Sequence, residues 1–196
     1  MTTVTRYMYD SVTPGDIPGD ASLVAVYGTG DYIAKKPDVL KDFPHATLVW
    51  IDATGADPKG CTVRDWEPGD EEGSLEEWVG VCKQYHPRPT IYCDRASLPS
   101  VRVLTGKYVL GKDYWLWVAT LDGTVYQGES VVACQSEGVA QTGGNYDRSV
   151  VFDPYWPAAP PVVTAPPEPV APHVVDVRLV VTYSDGSVLT KYILTV

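Results

Sequence analysis

The chain has 196 residues, 44% hydrophobic and 20% charged, a composition that suits one sizeable globular core with a small appendage. The formal net charge of −10 argues against a nucleic-acid partner and against an anionic membrane surface, because both are bound by clustered Lys and Arg. The first 20 residues lack a basic segment followed by an apolar run, so we expect no signal peptide, and no stretch reaches the roughly 18 apolar residues of a transmembrane helix.

Eight short segments have the composition and the boundaries of β-strands. Leu23–Tyr27 is continuously apolar, as expected for a strand that is covered on both faces of a parallel sheet. Three helices are predicted between strands: Pro37–Phe43, Ser97–Leu104, and Ser74–Tyr85, which opens on a capping box with Glu77. This order predicts an α/β fold, a compact TIM-like (β/α) barrel with a reduced set of helices. The predicted strands cover residues 3–10, 23–27, 46–52, 61–67, 90–93, 114–120, 131–135 and 146–152.

The fourth of these segments carries two carboxylates near its end. Cys61, Val63, Asp65 and Glu67 occupy alternate positions and so share one side of the strand, which changes from apolar to acidic before a Pro-Gly turn. Carboxylates two positions apart on a strand stand about 6.5–7 Å from each other at the backbone. Such a pair suits an acid/base couple. A strand that simply ends in solvated acids fits the spacing equally well.

Other candidate residues are interpreted as structural. Asp31 and Asp52 also follow predicted strands, and we read them as solvated turn acids, although either could line a cleft. The four cysteines form no C-x-x-C pair and are interpreted as free, buried thiols. The three histidines are scattered along the chain, so we expect neither a metal site nor another cofactor.

The composition changes after Trp156. Residues 154–172 hold eight of the 17 prolines, which predicts an extended linker of polyproline type. Val174–Val196 alternates on both sides of a Ser-Asp-Gly turn at 184–186, which predicts a β-hairpin. Because an isolated hairpin is only marginally stable in water, we expect it to dock on its own barrel or on a partner. The predicted organisation is a barrel at 1–156, a linker at 157–173 and a docking or oligomerisation hairpin at 174–196.

Six motifs near the predicted strand ends, within residues 4–153, together resemble one known family. They are Tyr9-Asp10-Ser11, Asp65-Trp66-Glu67, Ile91-Tyr92-Cys93, Trp115-Leu116-Trp117-Val118-Ala119, Cys134-Gln135 and Gly144-Asn145-Tyr146-Asp147-Arg148-Ser149-Val150-Val151-Phe152. In this order they resemble glycoside hydrolase family 25, the lysozymes that cleave the glycan of peptidoglycan. The chain is also similar to the short family-25-like domains of actinobacterial phage proteins.

The resemblance implies an eight-stranded barrel whose mouth carries four catalytic acids. Glu67 would be the general acid that protonates the glycosidic oxygen, and Asp65 and Asp147 would stabilise positive charge at the sugar ring or orient the attacked group. Asp10 would help to position the substrate and would favour the protonated form of Glu67 by like-charge repulsion. The residues predicted to contact sugar are Tyr92, Trp117 and Gln135, the last of which fits a satisfied interior amide equally well.

The chain departs from the family pattern at the aromatic residues that stack on sugars. Cys134 and Ser136 stand where the family has Trp and Tyr, and Leu121 stands where another aromatic residue is expected. Two functions therefore remain open. The first is a phage virion-associated, muramidase-type module that acts on or binds bacterial cell-wall glycan and is attached by its hairpin to another virion protein or to its own subunits.

The second function is that of a catalytically inactive minor tail, decoration or adhesion protein that uses the barrel as a scaffold. A free sugar-binding protein is a third reading. We expect the protein in the virion, or in the host cytoplasm until lysis releases it.

Overall fold

The computed structural model describes residues 5–69, 71–158 and 175–195, of which 175–181 and 189–195 are described by their backbone. The chain divides into two compact units, and the boundary lies between residues 160 and 161. The predicted proline-rich linker lies, from residue 159 onward, outside the described residues.

The first unit is an α/β structure with a closed eight-stranded barrel and few helices, as the pattern of segments predicts. Each strand pairs with its neighbours in sequence, and β8 closes the barrel against β1. The strands are β1 (Arg6–Asp10), β2 (Leu23–Tyr27), β3 (Thr47–Asp52), β4 (Val63–Asp65), β5 (Thr90–Asp94), β6 (Trp115–Ala119), β7 (Val131–Glu137) and β8 (Asp147–Val151). The helices are α1 (Lys36–Asp42), α2 (Leu75–Cys82), α3 (Leu98–Leu104) and the single turn α4 (Val139–Thr142).

Helix α2 begins where the capping box predicts. The Ser74 hydroxyl accepts a hydrogen bond from the backbone N–H of Glu77 at 3.2 Å and so caps the first turn. The helix ends at Cys82 rather than at the predicted Tyr85, because the next residues tighten into turns ahead of Pro87. Its apolar side packs on the outer face of β5 and β6. The buried residues of that side are Leu75, Trp78, Val79 and Cys82.

The barrel departs from an all-parallel arrangement at strand β8. Strands β1 to β7 pair in parallel, whereas β8 is antiparallel to both β7 and β1. The connection at residues 138–146 is shorter than the dozen or so residues that a parallel crossover needs, so the chain turns straight back. Strand β8 therefore starts at the end of the barrel where the parallel strands finish.

The barrel interior changes character from one end to the other. Along β1 the buried inward position Met8 is followed by Asp10, and along β4 Val63 is followed by Asp65. The opposite, apolar end is filled by Trp156, which is 0% exposed and donates from Nε1 to the Thr90 hydroxyl at 2.9 Å. Polar side chains are therefore concentrated at one mouth of the barrel.

The second unit contains an antiparallel hairpin. Strands β9 (Val175–Thr182) and β10 (Val188–Thr195) pair from Thr182 opposite Val188 to Val175 opposite Thr195. In the turn, the Asp185 carboxylate accepts hydrogen bonds from the backbone N–H and the hydroxyl of Ser187. Gly186 supplies the positive φ of 85° that the turn requires.

Within the described residues, no helix has the length and apolar character needed to cross a bilayer.

Candidate active site at the polar mouth of the barrel

The structure brings the four predicted acids together at one mouth. Asp10, at the end of β1, lies directly opposite Asp147, at the start of β8. Asp65 ends β4, and Glu67 follows it with a half-buried side chain. The charges of Asp147, Asp65 and Glu67 all act on Asp10. We call these four residues the acid cluster.

Asp10 is one of the two almost fully buried carboxyl groups of the cluster, the other being Asp65. Asp10 is 7% exposed, and its Oδ2 atom has no hydrogen-bond partner among the described residues. Burial, and after it the charges of Asp147, Asp65 and Glu67, raise the pKa of Asp10 well above its ordinary value. The sequence-based expectation made Asp10 the anion that keeps a proton on Glu67. Asp10 is itself more deeply buried than Glu67, and its effect on Glu67 stays a prediction.

Gln135 is a hydrogen-bond partner of Asp147 inside the barrel. Its Nε2 atom donates to Oδ2 of Asp147 at 2.8 Å, whereas its buried Oε1 atom has no partner among the described residues. The amide is therefore only half satisfied inside the barrel. Burial raises the pKa of Asp147, and a hydrogen bond from the backbone N–H of Val139 partly offsets this rise.

Tyr27, which was not predicted as a site residue, contacts the acid cluster. Its hydroxyl group donates to Oδ2 of Asp65 at 3.4 Å from the end of β2. Burial and the nearby charges of Asp65, Asp10 and Glu67 raise the pKa of Tyr27, so the phenol stays neutral and remains a donor. The available signal in the sequence was an aromatic residue at the end of a parallel strand, the position where the acids were found.

Two predicted sugar contacts lie inside the barrel. Trp117 is 1% exposed, and its Nε1 atom donates to the Ser149 hydroxyl at 2.9 Å. Tyr92 is also buried, and its ring centroid lies 4.6 Å from that of Trp117. Tyr92 lies beside Asp65 in the ladder between β4 and β5, and burial and the charges of Glu67, Asp10 and Asp65 raise its pKa. In this structure neither ring offers an exposed face on which a sugar could stack.

Asp52 is not the solvated turn acid that the sequence suggested. It is fully buried, and its Oδ1 atom accepts from the Thr29 hydroxyl at 2.7 Å and from the backbone N–H groups of Gly55 and Ala56. Its Oδ2 atom accepts from the backbone N–H of Asp57 at 2.9 Å and from Trp78 Nε1 at 2.8 Å. The carboxylate therefore ties together the loops that follow β2 and β3 and the helix α2.

A cavity of about 310 Å³ adjoins the acid cluster through Tyr27. Tyr32 also lines the cavity and contacts Tyr27, with its ring centroid 5.9 Å from that of Tyr27 and the two ring planes at 57°. No member of the acid cluster lines the cavity, so Tyr27 is the link between them. We call this cavity the tyrosine pocket. The described residues that line it are Tyr27, Gly30, Asp31, Tyr32, Ala53, Thr54, Gly69 and Glu72.

The described residues contain no set of three or more His, Cys, Asp or Glu side chains placed to hold a metal ion. The four cysteines are free and buried, as predicted. Burial, followed by the charges of Asp52 and Asp57, raises the pKa of Cys61 to about 12, and burial and nearby acids likewise raise that of Cys93 to about 12. Burial therefore disfavours the nucleophilic thiolate form of Cys61 and Cys93.

Comparisons with models of protein families, with curated proteins and with solved structures found no match.

Proposed function

We propose that the barrel is a glycoside-hydrolase-like module of muramidase type that acts on bacterial cell-wall glycan. The proposal follows from the resemblance to glycoside hydrolase family 25. The observation that carries it is the acid cluster, in which two buried carboxyl groups, Asp10 and Asp65, and two half-buried ones, Glu67 and Asp147, meet at the same mouth of the barrel. Carboxyl groups in unequal environments can divide the roles of acid and base in the cleavage of a glycosidic bond.

The placement of the acids supports a division of roles. Glu67 is half-buried at the rim, where it can meet a glycosidic oxygen, and we assign it the role of proton donor. Asp65, held by Tyr27, and Asp147, held by Gln135, would face positive charge that develops at the sugar ring. Asp10, which favours the neutral form, would donate a hydrogen bond to a bound sugar rather than repel Glu67.

The test is the release of sugar reducing ends from purified peptidoglycan. Glu67→Gln keeps the shape of the side chain but removes its proton, so we expect the rate to fall by about 10²–10⁴-fold with the fold unchanged. Glu129→Gln, at an exposed position before β7, is the matched control and should retain the full rate. Equal rates for wild type and Glu67→Gln would remove Glu67 from the mechanism.

A second candidate function is an inactive virion scaffold, such as a minor tail, decoration or adhesion protein. The burial of Trp117 and Tyr92 favours it, because neither of these aromatic rings is open to a sugar. A wild-type protein that releases no reducing ends from several peptidoglycans, but is still found in purified particles, would support this function over hydrolysis. We propose for both candidates that the hairpin attaches the chain to another virion protein or to further copies of itself.

A further inference from the structure

The tyrosine pocket has the walls of a site for a polyhydroxylated ring. Tyr32 is 56% exposed and Tyr27 is half-buried, and their rings contact each other and both residues line the cavity. Aromatic faces cover the C–H surface of a sugar ring, while its hydroxyl groups need polar partners at the edge. Asp31, Thr54 and Glu72 supply such partners among the lining residues.

The loops that line the pocket are joined through Asp52, which is fully buried. The Thr29 hydroxyl donates to Asp52 and accepts a hydrogen bond from the backbone N–H of Thr54 at 3.3 Å, which joins the loops that follow β2 and β3. Gly30 has a positive φ of 83°, and a Cβ atom at that position would lie 3.0 Å from the Cβ of Ala53. The loops therefore approach closely, and little ordering is needed when a ligand enters.

The charged side chains that line the pocket are acidic. The titratable acids that line it are Asp31 and Glu72, and none of the described lining residues is Lys or Arg. Across Tyr27 stands the acid cluster, which adds further negative charge nearby. Carboxylates accept hydrogen bonds from neutral hydroxyl and amide groups, but they repel a ligand that carries its own carboxylate.

We propose that the tyrosine pocket is a subsite for an uncharged sugar unit and that it discriminates against sugars with a free carboxylate. Tyr27 connects the two sites, because its ring lines the pocket while its hydroxyl group donates to Asp65. A sugar in the pocket thus lies next to the carboxyl groups assigned to bond cleavage. This inference rests on the proposed function in so far as the ligand is a glycan.

The experiment is calorimetric titration of the full chain carrying Glu67→Gln, so that binding is measured without turnover. The probes are a tetramer of β-1,4-linked N-acetylglucosamine, which is neutral, and a tetragalacturonate, which has a carboxylate on every ring. We expect the neutral tetramer to bind and the acidic one to bind at least about tenfold more weakly. Equal affinity for the two probes, or no binding of the neutral tetramer at millimolar concentration, overturns the proposal.

Variants of two exposed tyrosines test whether the neutral tetramer binds in the tyrosine pocket. Tyr32→Ala should weaken binding of the neutral tetramer by about three- to tenfold, whereas Tyr32→Phe, which keeps the ring, should change it little. Tyr85→Ala is the matched control, because Tyr85 is 53% exposed and lies beyond the far end of α2. Unchanged binding by Tyr32→Ala, or an equal loss in Tyr85→Ala, contradicts the assignment.

The two proposals fail separately. A wild-type chain that binds the neutral tetramer through Tyr32 but releases no reducing ends would remove the hydrolytic function and leave the subsite standing. A chain that hydrolyses peptidoglycan while Tyr32→Ala binds as wild type does would keep the function and remove the subsite.

Discussion

Asp10 and Asp147 lie directly opposite each other in the antiparallel ladder between β1 and β8. The pairing places two carboxyl groups from the first and last strands of the barrel side by side at its polar mouth. Burial raises the pKa of both groups, and the charge of Asp147 raises that of Asp10 further. The fold therefore holds acids in an environment that opposes their ionisation.

The first prediction concerns the dependence of stability on pH. In the unfolded chain an aspartate releases its proton at about pH 4, whereas burial raises the pKa of Asp10 in the folded barrel. Below the pKa of the unfolded chain, Asp10 is protonated in both the folded and the unfolded state, so its ionisation does not change the free energy of unfolding. As the pH rises toward the folded pKa, the unfolded state is favoured, so the free energy of unfolding falls by at most about 1.4 kcal/mol per pH unit for this group.

Asp10→Asn should remove this loss. We expect urea unfolding to show the variant gaining stability relative to wild type between about pH 4 and neutral pH, because the amide does not ionise. Asp20→Asn, at an exposed position, is the control and should follow the wild-type profile. A difference between Asp10→Asn and wild type that stays constant with pH would show that Asp10 ionises normally.

The second prediction concerns Trp156, which fills the apolar end of the barrel. Its ring lies 6.4 Å from that of Trp117, and its Nε1 atom donates to Thr90. Trp156→Ala leaves a large cavity and should lower the free energy of unfolding by about 3–5 kcal/mol. Tyr155→Ala, next to it but largely exposed, should cost far less in the same denaturation experiment. Similar losses in the two variants would argue against Trp156 as part of the core.

The third prediction concerns Asp52, whose carboxylate accepts five hydrogen bonds. Asp52→Ala leaves buried donors without an acceptor and should cost about 3 kcal/mol or more in thermal or urea unfolding. Asp52→Asn keeps one acceptor oxygen and should fall between the alanine variant and wild type. Asp42→Ala, on the exposed side of α1, serves as the control. Wild-type stability in Asp52→Ala would mean that the loops hold their shape without the carboxylate.

The fourth prediction separates the two units. A chain that ends at residue 158 keeps every described element of the barrel, including Trp156, so its unfolding temperature should match that of the barrel in the full chain. If the hairpin attaches the protein to a partner, the same truncation should abolish incorporation into particles or oligomers, as measured by sedimentation. An unfolded barrel after this truncation would show that the hairpin contributes to the barrel core.

Elements that depend on neighbouring residues could be predicted from the sequence. All eight barrel strands lie within two or three residues of the predicted segments, and Leu23–Tyr27 coincides with its segment. The Ser74 cap of α2 and the hairpin turn at 184–186 also form where their local patterns indicate. Strand alternation, capping and turn chemistry act over a few residues, so they are legible in the chain itself.

Relationships between distant residues were decided by the tertiary structure. The sequence placed acids at strand ends, but the direction of β8 and its register with β1 put Asp147 opposite Asp10. The residues near Asp52 in the sequence do not indicate its distant donors Thr29 and Trp78. Those near Trp117 do not indicate its complete burial. Closure of the barrel sets burial, and burial determines which carboxyl group keeps its proton, because desolvation depends on everything packed around the group and not on its neighbours in the chain.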